Sequence, residues 1–209
     1  MKIIGINGSP RLDKNSASML DAALAGAAAA GAETERIDLF KFDFTGCLSC
    51  FACKRYGGES FGKCALEDGL SPLIEKIFEA DALVIASPIY FADVPGAVRN
   101  LFERLWFPGL LYSKDGTVAY DKRMKIGLIY TMNVVDEHIY DAVTAMHKFQ
   151  FERFFGETEQ LFATDTCQFG DYSKYASSMF DPVKKKDNLM NKLPEDCRKA
   201  QEMGARLVR

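Results

Sequence analysis

Short apolar runs alternate with longer segments whose apolar residues recur every three or four positions, and this rhythm runs through most of the chain. Residues 2–7 form a compact apolar run stopped by Gly8-Ser9-Pro10, the pattern of a buried strand ending in a loop. Residues 15–30 place Met19, Leu20, Ala23, Leu24, Ala27 and Ala28 on one helical face, with Gly31 where a C-cap belongs. Ile37 and Leu39 alternate with polar neighbours over 33–40, which predicts a second strand. Ser71-Pro72 then opens a helix through Leu73, Ile74, Ile77 and Phe78.

The run at 82–87 (ALVIAS) is the clearest buried strand, ended by Pro88 and followed by a helix carrying Val98, Leu101, Phe102 and Leu105, with Pro95 in its first turn. A fourth strand is predicted at 124–130 and a helix after it on Ile139, Tyr140, Val143 and Met146. A weaker fifth strand falls at 160–164 and a closing helix at 194–208. Strands alternating with helices imply a parallel sheet covered on both faces, a doubly wound α/β domain of five strands and five helices spanning 1–209. Three segments exceed ordinary loop length: 46–69, 107–123 and 166–193. Within the last, Lys184-Lys185-Lys186 reads as a solvated run.

Composition narrows the function classes. With 209 residues, 48% hydrophobic and 26% charged, the chain is an ordinary globular one, which excludes disorder and fibres. Lys plus Arg (26) against Asp plus Glu (29) leaves a net charge of -3, no electrostatic footprint for nucleic acid or anionic lipid. The apolar start is too short for a secretory signal and no run approaches the ~20 residues of a membrane span, so the expectation is a cytoplasmic chain with no membrane partner. Six cysteines in a reducing compartment point to metal, redox chemistry or burial rather than to a disulfide framework.

Ligands of open α/β sheets gather at the carboxyl ends of the strands. The first such loop, Gly8 to Ala17, offers backbone N–H groups before a helix, hydroxyls at Ser9 and Ser16, and the charge of Arg11, which together suit a phosphate. It matches neither the P-loop nor the dinucleotide glycine pattern, so Asp38 at the end of the second strand reads as a turn residue. The loop after the third strand sets Tyr90 and Phe91 side by side, suited either to flanking a planar ring or to core or interface packing. Thr131, Met132 and Asn133 add a hydroxyl, an amide and backbone groups for a heterocycle's edge. Together the three loops suit a mononucleotide such as FMN.

In GINGSPRLDKNS, SPIYFADVPGAVRNLFERL and the cysteine-rich loop between them, the chain resembles the flavodoxin-like NAD(P)H-dependent FMN reductases and the related iron-sulfur flavoproteins. The resemblance covers residues 1 to about 164 and implies a flavodoxin-like fold with strand order 2-1-3-4-5 and FMN at the strand ends. It assigns the phosphate to Ser9, Arg11, Asn15, Ser16 and Ala17, one border of the isoalloxazine to Pro88, Ile89, Tyr90 and Phe91, and its other edge to Thr131, Met132 and Asn133. It also implies at least a homodimer.

Cys47, Cys50 and Cys53 form a C-x2-C-x2-C run, and Cys64 follows after ten residues. Four closely spaced thiolates can wrap a [4Fe-4S] cluster, or bind zinc, or act as free redox thiols. The gap before Cys64, longer than in the iron-sulfur flavoproteins, tips the expectation toward thiols in a loop that folds through its other contacts near the flavin. Cys167 and Cys197 are isolated and expected to be buried. His138 and His147 stand beside no hydrolytic pattern and read as structural or surface residues, and Trp106 and Phe107 as core or dimer packing. The expected activity is an FMN-dependent oxidoreductase that takes hydride from NADH or NADPH and reduces a small acceptor such as a quinone, a flavin or iron. Long insertions favour that over the alternatives, an FMN-binding electron carrier without a nicotinamide site or a flavin-free scaffold.

Overall fold

The computed structural model describes all of residues 1–209. Five strands, β1 (Lys2–Asn7), β2 (Glu33–Asp38), β3 (Ala82–Pro88), β4 (Lys125–Thr131) and β5 (Thr158–Ala163), form one parallel sheet in the order 2-1-3-4-5. This is the expected flavodoxin-like arrangement. Its switch point lies between β1 and β3, where connections leave in opposite directions and open a crevice at the strand ends.

Six α-helices flank the sheet: α1 (Asn15–Ala29), α2 (Ser71–Glu79), α3 (Gly96–Gly109), α4 (Asp141–Phe154), α5 (Pro182–Asp187) and α6 (Leu193–Leu207). The two-residue alternation of the strands divides the core. Ile4, Ile6, Leu83, Ile85, Ile126 and Leu128 pack toward α2, α3 and α4, while Ile3, Val84, Ala86 and Ile129 pack toward α1 and α6. Both faces of the central strands are therefore buried, which is why they read as continuous apolar runs. No helix is long and apolar enough to cross a membrane.

Several details depart from the sequence pattern. β2 stops at Asp38, and Leu39 is buried from a 3-10 turn (Leu39–Lys41) rather than from a strand. The face expected on Ile139 and Met146 is exposed. A separate 3-10 turn (Glu137–Tyr140) precedes α4, and the helix instead buries Thr144, His147, Phe151 and Phe154. Two of those four are polar, so a count of apolar positions misses the stripe. Cys167 and Cys197, expected buried, are half-buried. The segment at 166–193 contains α5, a sixth helix, which runs on through a π turn (Asn188–Lys192) into α6.

Candidate functional site

The loops after β1, β3 and β4 and the segment after β5 enclose one cleft at the carboxyl edge of the sheet. Its lining contains ten of the expected residues, Ser9, Arg11, Asn15, Ser16, Pro88, Ile89, Tyr90, Thr131, Met132 and Asn133. Lys14, Thr166 and Gln168 line it as well. Ala17 does not, because its side chain is buried in the core, so only the backbone of that residue can serve the cleft. Phe91 lies outside the lining on a turn that projects it wholly into solvent, which rules out the core-packing reading for that ring.

The first loop is built by its own polar side chains. The Asn7 amide donates to Asp38 (3.0 Å), its oxygen accepts from the Ser9 N–H (3.2 Å), and the Ser9 hydroxyl accepts from the Arg11 N–H (3.1 Å). Asp38 ends β2, and its carboxylate braces the first loop through Asn7. Burial would raise its carboxyl, but the side chains of Asn7, Arg36 and Lys41 outweigh that and hold it at about 2. α1 begins with no side-chain cap and no acidic residue in its first turn. Its first N–H groups have no intrahelical partner, and the positive end of its dipole faces Ser9, Arg11 and Lys14. Such a helix start suits a phosphate.

Ser16 and Thr131 share a hydrogen bond of 2.7 Å, which ties the first loop to the end of β4. After β3, Tyr90 and Asp93 close a tight turn by two backbone hydrogen bonds of 2.7 and 3.1 Å. Its two central residues, Phe91 (φ 50°) and Ala92 (φ 70°), are left-handed without being glycine, a strain of about 1 kcal/mol or more each.

The segment after β5 crosses over this cleft. Arg11 donates to the Gln168 carbonyl (2.8 Å), Asn15 to the Cys167 carbonyl (2.9 Å), and Asn133 to the Gln168 side chain (2.9 Å). Lys185, expected to be solvated, is only 3% exposed and spans Asp165 (2.5 Å) and Asn133. The three-lysine run sits on a one-turn helix that turns its middle residue inward, while Lys184 reaches Asp165 (2.8 Å) from the solvent side. Burial alone would raise the Asp165 carboxyl, yet hydrogen bonds from Lys184, Lys185 and Asn188 hold it at about 2. Stability from this group is therefore complete above about pH 4 and falls as the pH drops toward 2. A Lys185→Met variant is expected to exchange the amides of 165–193 faster at neutral pH, a loosening that the wild type shows only in that acid window. Hydrogen exchange by mass spectrometry checks it.

The cysteine loop lies against α3. Arg104, buried on that helix, donates to Asp68 (2.7 Å) and to the carbonyls of Thr45 and Leu66 (both 3.2 Å), tying together the two ends of the loop. Lys54 reaches the Phe107 carbonyl and lies 4.5 Å from its ring centre. Cys47, Cys50, Cys53 and Cys64 all line one small cavity walled by Leu48, Phe51, Leu66, Phe107 and Pro108. Burial pushes the Cys53 thiol up, and Lys54 beside it opposes that shift. No three side chains of this loop converge closely enough to hold a single metal ion.

The site and fold define a flavodoxin-like protein with a mononucleotide-shaped set of loops. The chain matches the NADPH-dependent FMN reductase family over residues 1–131, and it belongs to that family. It is 33% identical to an iron-sulfur flavoprotein of Methanocaldococcus jannaschii over 127 residues, 61% of this chain and 59% of that protein. An iron-sulfur flavoprotein of Archaeoglobus fulgidus is 36% identical over 104 residues, 50% of this chain and 48% of that one. The chain thus spans about half the length of the curated relatives it matches. Among solved structures, an NAD(P)H:quinone oxidoreductase from Methanothermobacter marburgensis shares the fold with a TM-score of 0.71 at 19% identity, covering 99% of this chain and 98% of that one. An FMN-dependent NADH-azoreductase from Bacillus anthracis, in complex with FMN, shares it at 0.62 and 16% identity, covering 100% and 99%.

Lys14 was within reach of sequence reasoning, since it is the basic residue beside Asn15 in the loop after β1. Thr166 and Gln168 carry no local signal. They reach the cleft only because the chain after β5 folds back over it.

Proposed function

We propose that the protein is an FMN-dependent oxidoreductase that takes hydride from NADH or NADPH and reduces a small acceptor, such as a quinone, a flavin or iron. The observation that carries this reading is the meeting of three strand-end loops in one cleft, with an uncapped helix start at one end and polar edge groups at the other. Family membership supports it. The donor set fits FMN: Ser9, Arg11, Lys14, Asn15, Ser16 and the first N–H groups of α1 would hold the phosphate. Pro88, Ile89 and Tyr90 would border the ring, with Phe91 outside the lining at the rim, and Thr131 to Asn133 would meet its polar edge. When bound, the flavin supplies the hydride and electron chemistry, so no side-chain nucleophile is required.

The chain's own part is to orient and enclose. The hydrogen bond between Ser16 and Thr131 fixes the distance between the phosphate loop and the ring loop. Asn133, gripped by Gln168 and Lys185, presents its edge in one orientation. The 165–193 segment covers one side of the cleft and limits the access of water. Mixing the FMN-loaded protein with NADH and with NADPH tests the reading: loss of oxidised-flavin absorbance with at least one donor is expected. A flavin that stays oxidised with both would make the protein an electron carrier instead. We also read the protein as a homo-oligomer, supported by the exposed apolar side chains of Met146 and Phe149 on α4 and of Ile139 just before it.

A second reading concerns the cysteine loop, and the cavity shared by its four thiols favours it. A tetrahedral zinc site would bring thiolate sulfurs within about 3.8 Å of one another, from Zn–S bonds of about 2.3 Å. In a four-iron cluster each thiolate meets its own iron, so the sulfurs stand apart around an apolar space. The four thiols border one cavity, and the curated relatives are iron-sulfur flavoproteins, which supports the cluster. Cys47, Cys50, Cys53 and Cys64 would be its ligands. Purification without air followed by iron and sulfide analysis should give about four of each per chain, lost in Cys50→Ser. Full-length protein with neither iron nor sulfide returns the loop to redox-active thiols.

A further inference from the structure

His147 is the titratable side chain least explained by the function proposed above. It sits on α4, only 1% exposed, among the rings of Phe102, Trp106 and Tyr130. A phenylalanine or leucine would fill such a place without having to satisfy two nitrogens. Both nitrogens of His147 are in use: one reaches the end of strand β4 and the other the turn after β3. Nδ1 lies 3.1 Å from the Tyr130 hydroxyl, at the end of β4 directly before Thr131 to Asn133. Nε2 lies 3.1 Å from the Asp93 carboxylate, in the turn after β3.

The hydrogen-bond directions follow from chemistry. The Asp93 carboxylate can only accept, so the proton of the neutral imidazole sits on Nε2 and is given to it; the bare Nδ1 then accepts from the Tyr130 hydroxyl, which burial keeps protonated. That carboxylate also accepts from the Val94 N–H (2.7 Å). Tyr90, Phe91 and Ala92 are all exposed, and of the four turn residues only Asp93 reaches inward. The turn is strained at Phe91 and Ala92, and a strained turn persists only where its surroundings hold it.

We propose that His147 is a positioning residue, which holds Asp93 from below and thereby fixes the Tyr90–Asp93 turn that presents Tyr90 and Phe91 at the rim of the cofactor cleft, while its other nitrogen ties that turn to the β4 loop. The role of the turn in cofactor binding rests on the FMN reading, whereas the hold on the turn does not. The charged groups facing the imidazole are Asp93 from the turn and Arg99 from α3, with Tyr130 from β4 as its titratable neighbour. Burial, the largest influence, lowers the His147 pKa below the usual 6.5. Asp93 opposes that shift and Arg99 adds to it. The neutral, doubly bonded form is therefore the one present at neutral pH. Protonation would turn Nδ1 into a donor facing the Tyr130 hydroxyl while Nε2 keeps its bond to Asp93, so only the tie to β4 weakens as the pH falls through the lowered value.

Three variants test this. His147→Phe keeps the ring and removes both hydrogen bonds, Asp93→Ala removes the acceptor, and Asp93→Asn keeps an oxygen for the Nε2 proton. The first readout is hydrogen exchange of the Tyr90 and Asp93 amides in cofactor-free protein. Protection should fall in His147→Phe and Asp93→Ala and be retained in Asp93→Asn. The second is FMN affinity by flavin fluorescence, which should weaken about tenfold in His147→Phe, the loss expected for one well-made hydrogen bond. Unchanged protection in both disrupting variants, or equal loss in Asp93→Asn and Asp93→Ala, overturns the proposal. Should His147→Phe not fold, the pair at Asp93 decides alone. Wild-type protein that binds no FMN, yet loses amide protection in the variants, defeats the FMN reading and supports the hold on the turn.

Discussion

An Arg11→Ala, Ser16→Ala double variant is expected to bind FMN at least about 100-fold more weakly than the wild type, since hydrogen bonds to a charged phosphate are worth about 1.5–3 kcal/mol each. The two side chains flank the start of α1, one supplying charge and the other a hydroxyl. Both have other partners, Gln168 for Arg11 and Thr131 for Ser16, so the variant also loosens the cover over the cleft. Riboflavin separates the two effects because it lacks the phosphate. Equilibrium titration should show a large loss for FMN and a small one for riboflavin, and equal losses would place the phosphate elsewhere.

The largest effect on stability is expected at the crossing of α1 and α6. A Cβ on Gly204 would lie 1.8 Å from the Ala23 carbonyl oxygen, and one on Gly26 would lie 1.9 Å from the Gln201 carbonyl oxygen. Each collision is with backbone, so no rotamer change relieves it and the two helices must separate. Moving them opens the core formed by Met19, Leu20, Ala23, Ala200, Met203 and Leu207. Gly204→Ala should therefore cost about 3 kcal/mol or more, the upper end for overpacking. In a chain of this length that lowers the melting temperature by about 10 °C. Gly31→Ala is the contrast: nothing lies within 4 Å of its Cβ, and only its left-handed backbone (φ 97°) resists the change. A thermal melt of Gly204→Ala within 2 °C of the wild type, a margin of about 1 kcal/mol or less, would refute the close crossing.

The layered fold was legible because each central strand is buried on both faces. Ile3, Ile4, Ile6 and the run from Leu83 to Ala86 announce themselves as continuous apolar stretches whatever their partners are. The first loop of the cleft was legible for a related reason. Its groups are local in the chain, from Ser9 to Ser16, and the turn that shapes it is made by Asn7 and Ser9 themselves. Local hydrogen bonding and two-residue or four-residue periodicity are properties of neighbours, and neighbours are what a sequence displays.

Everything carried by distant pairs had to await the tertiary structure. Lys185 looks solvated in a three-lysine run, and only the fold-back of 165–193 brings it to Asp165 and Asn133. His147 reads as an ordinary polar residue on a helix, yet the packing of α4 against the sheet sets it between Asp93 and Tyr130, 54 and 17 residues away. The four cysteines were visible as a motif, but their common cavity depends on Arg104 drawing Thr45, Leu66 and Asp68 onto α3. A buried charge or imidazole takes its partner from whatever the packed elements bring within about 3 Å, and that distance is set by the whole fold, not by spacing along the chain.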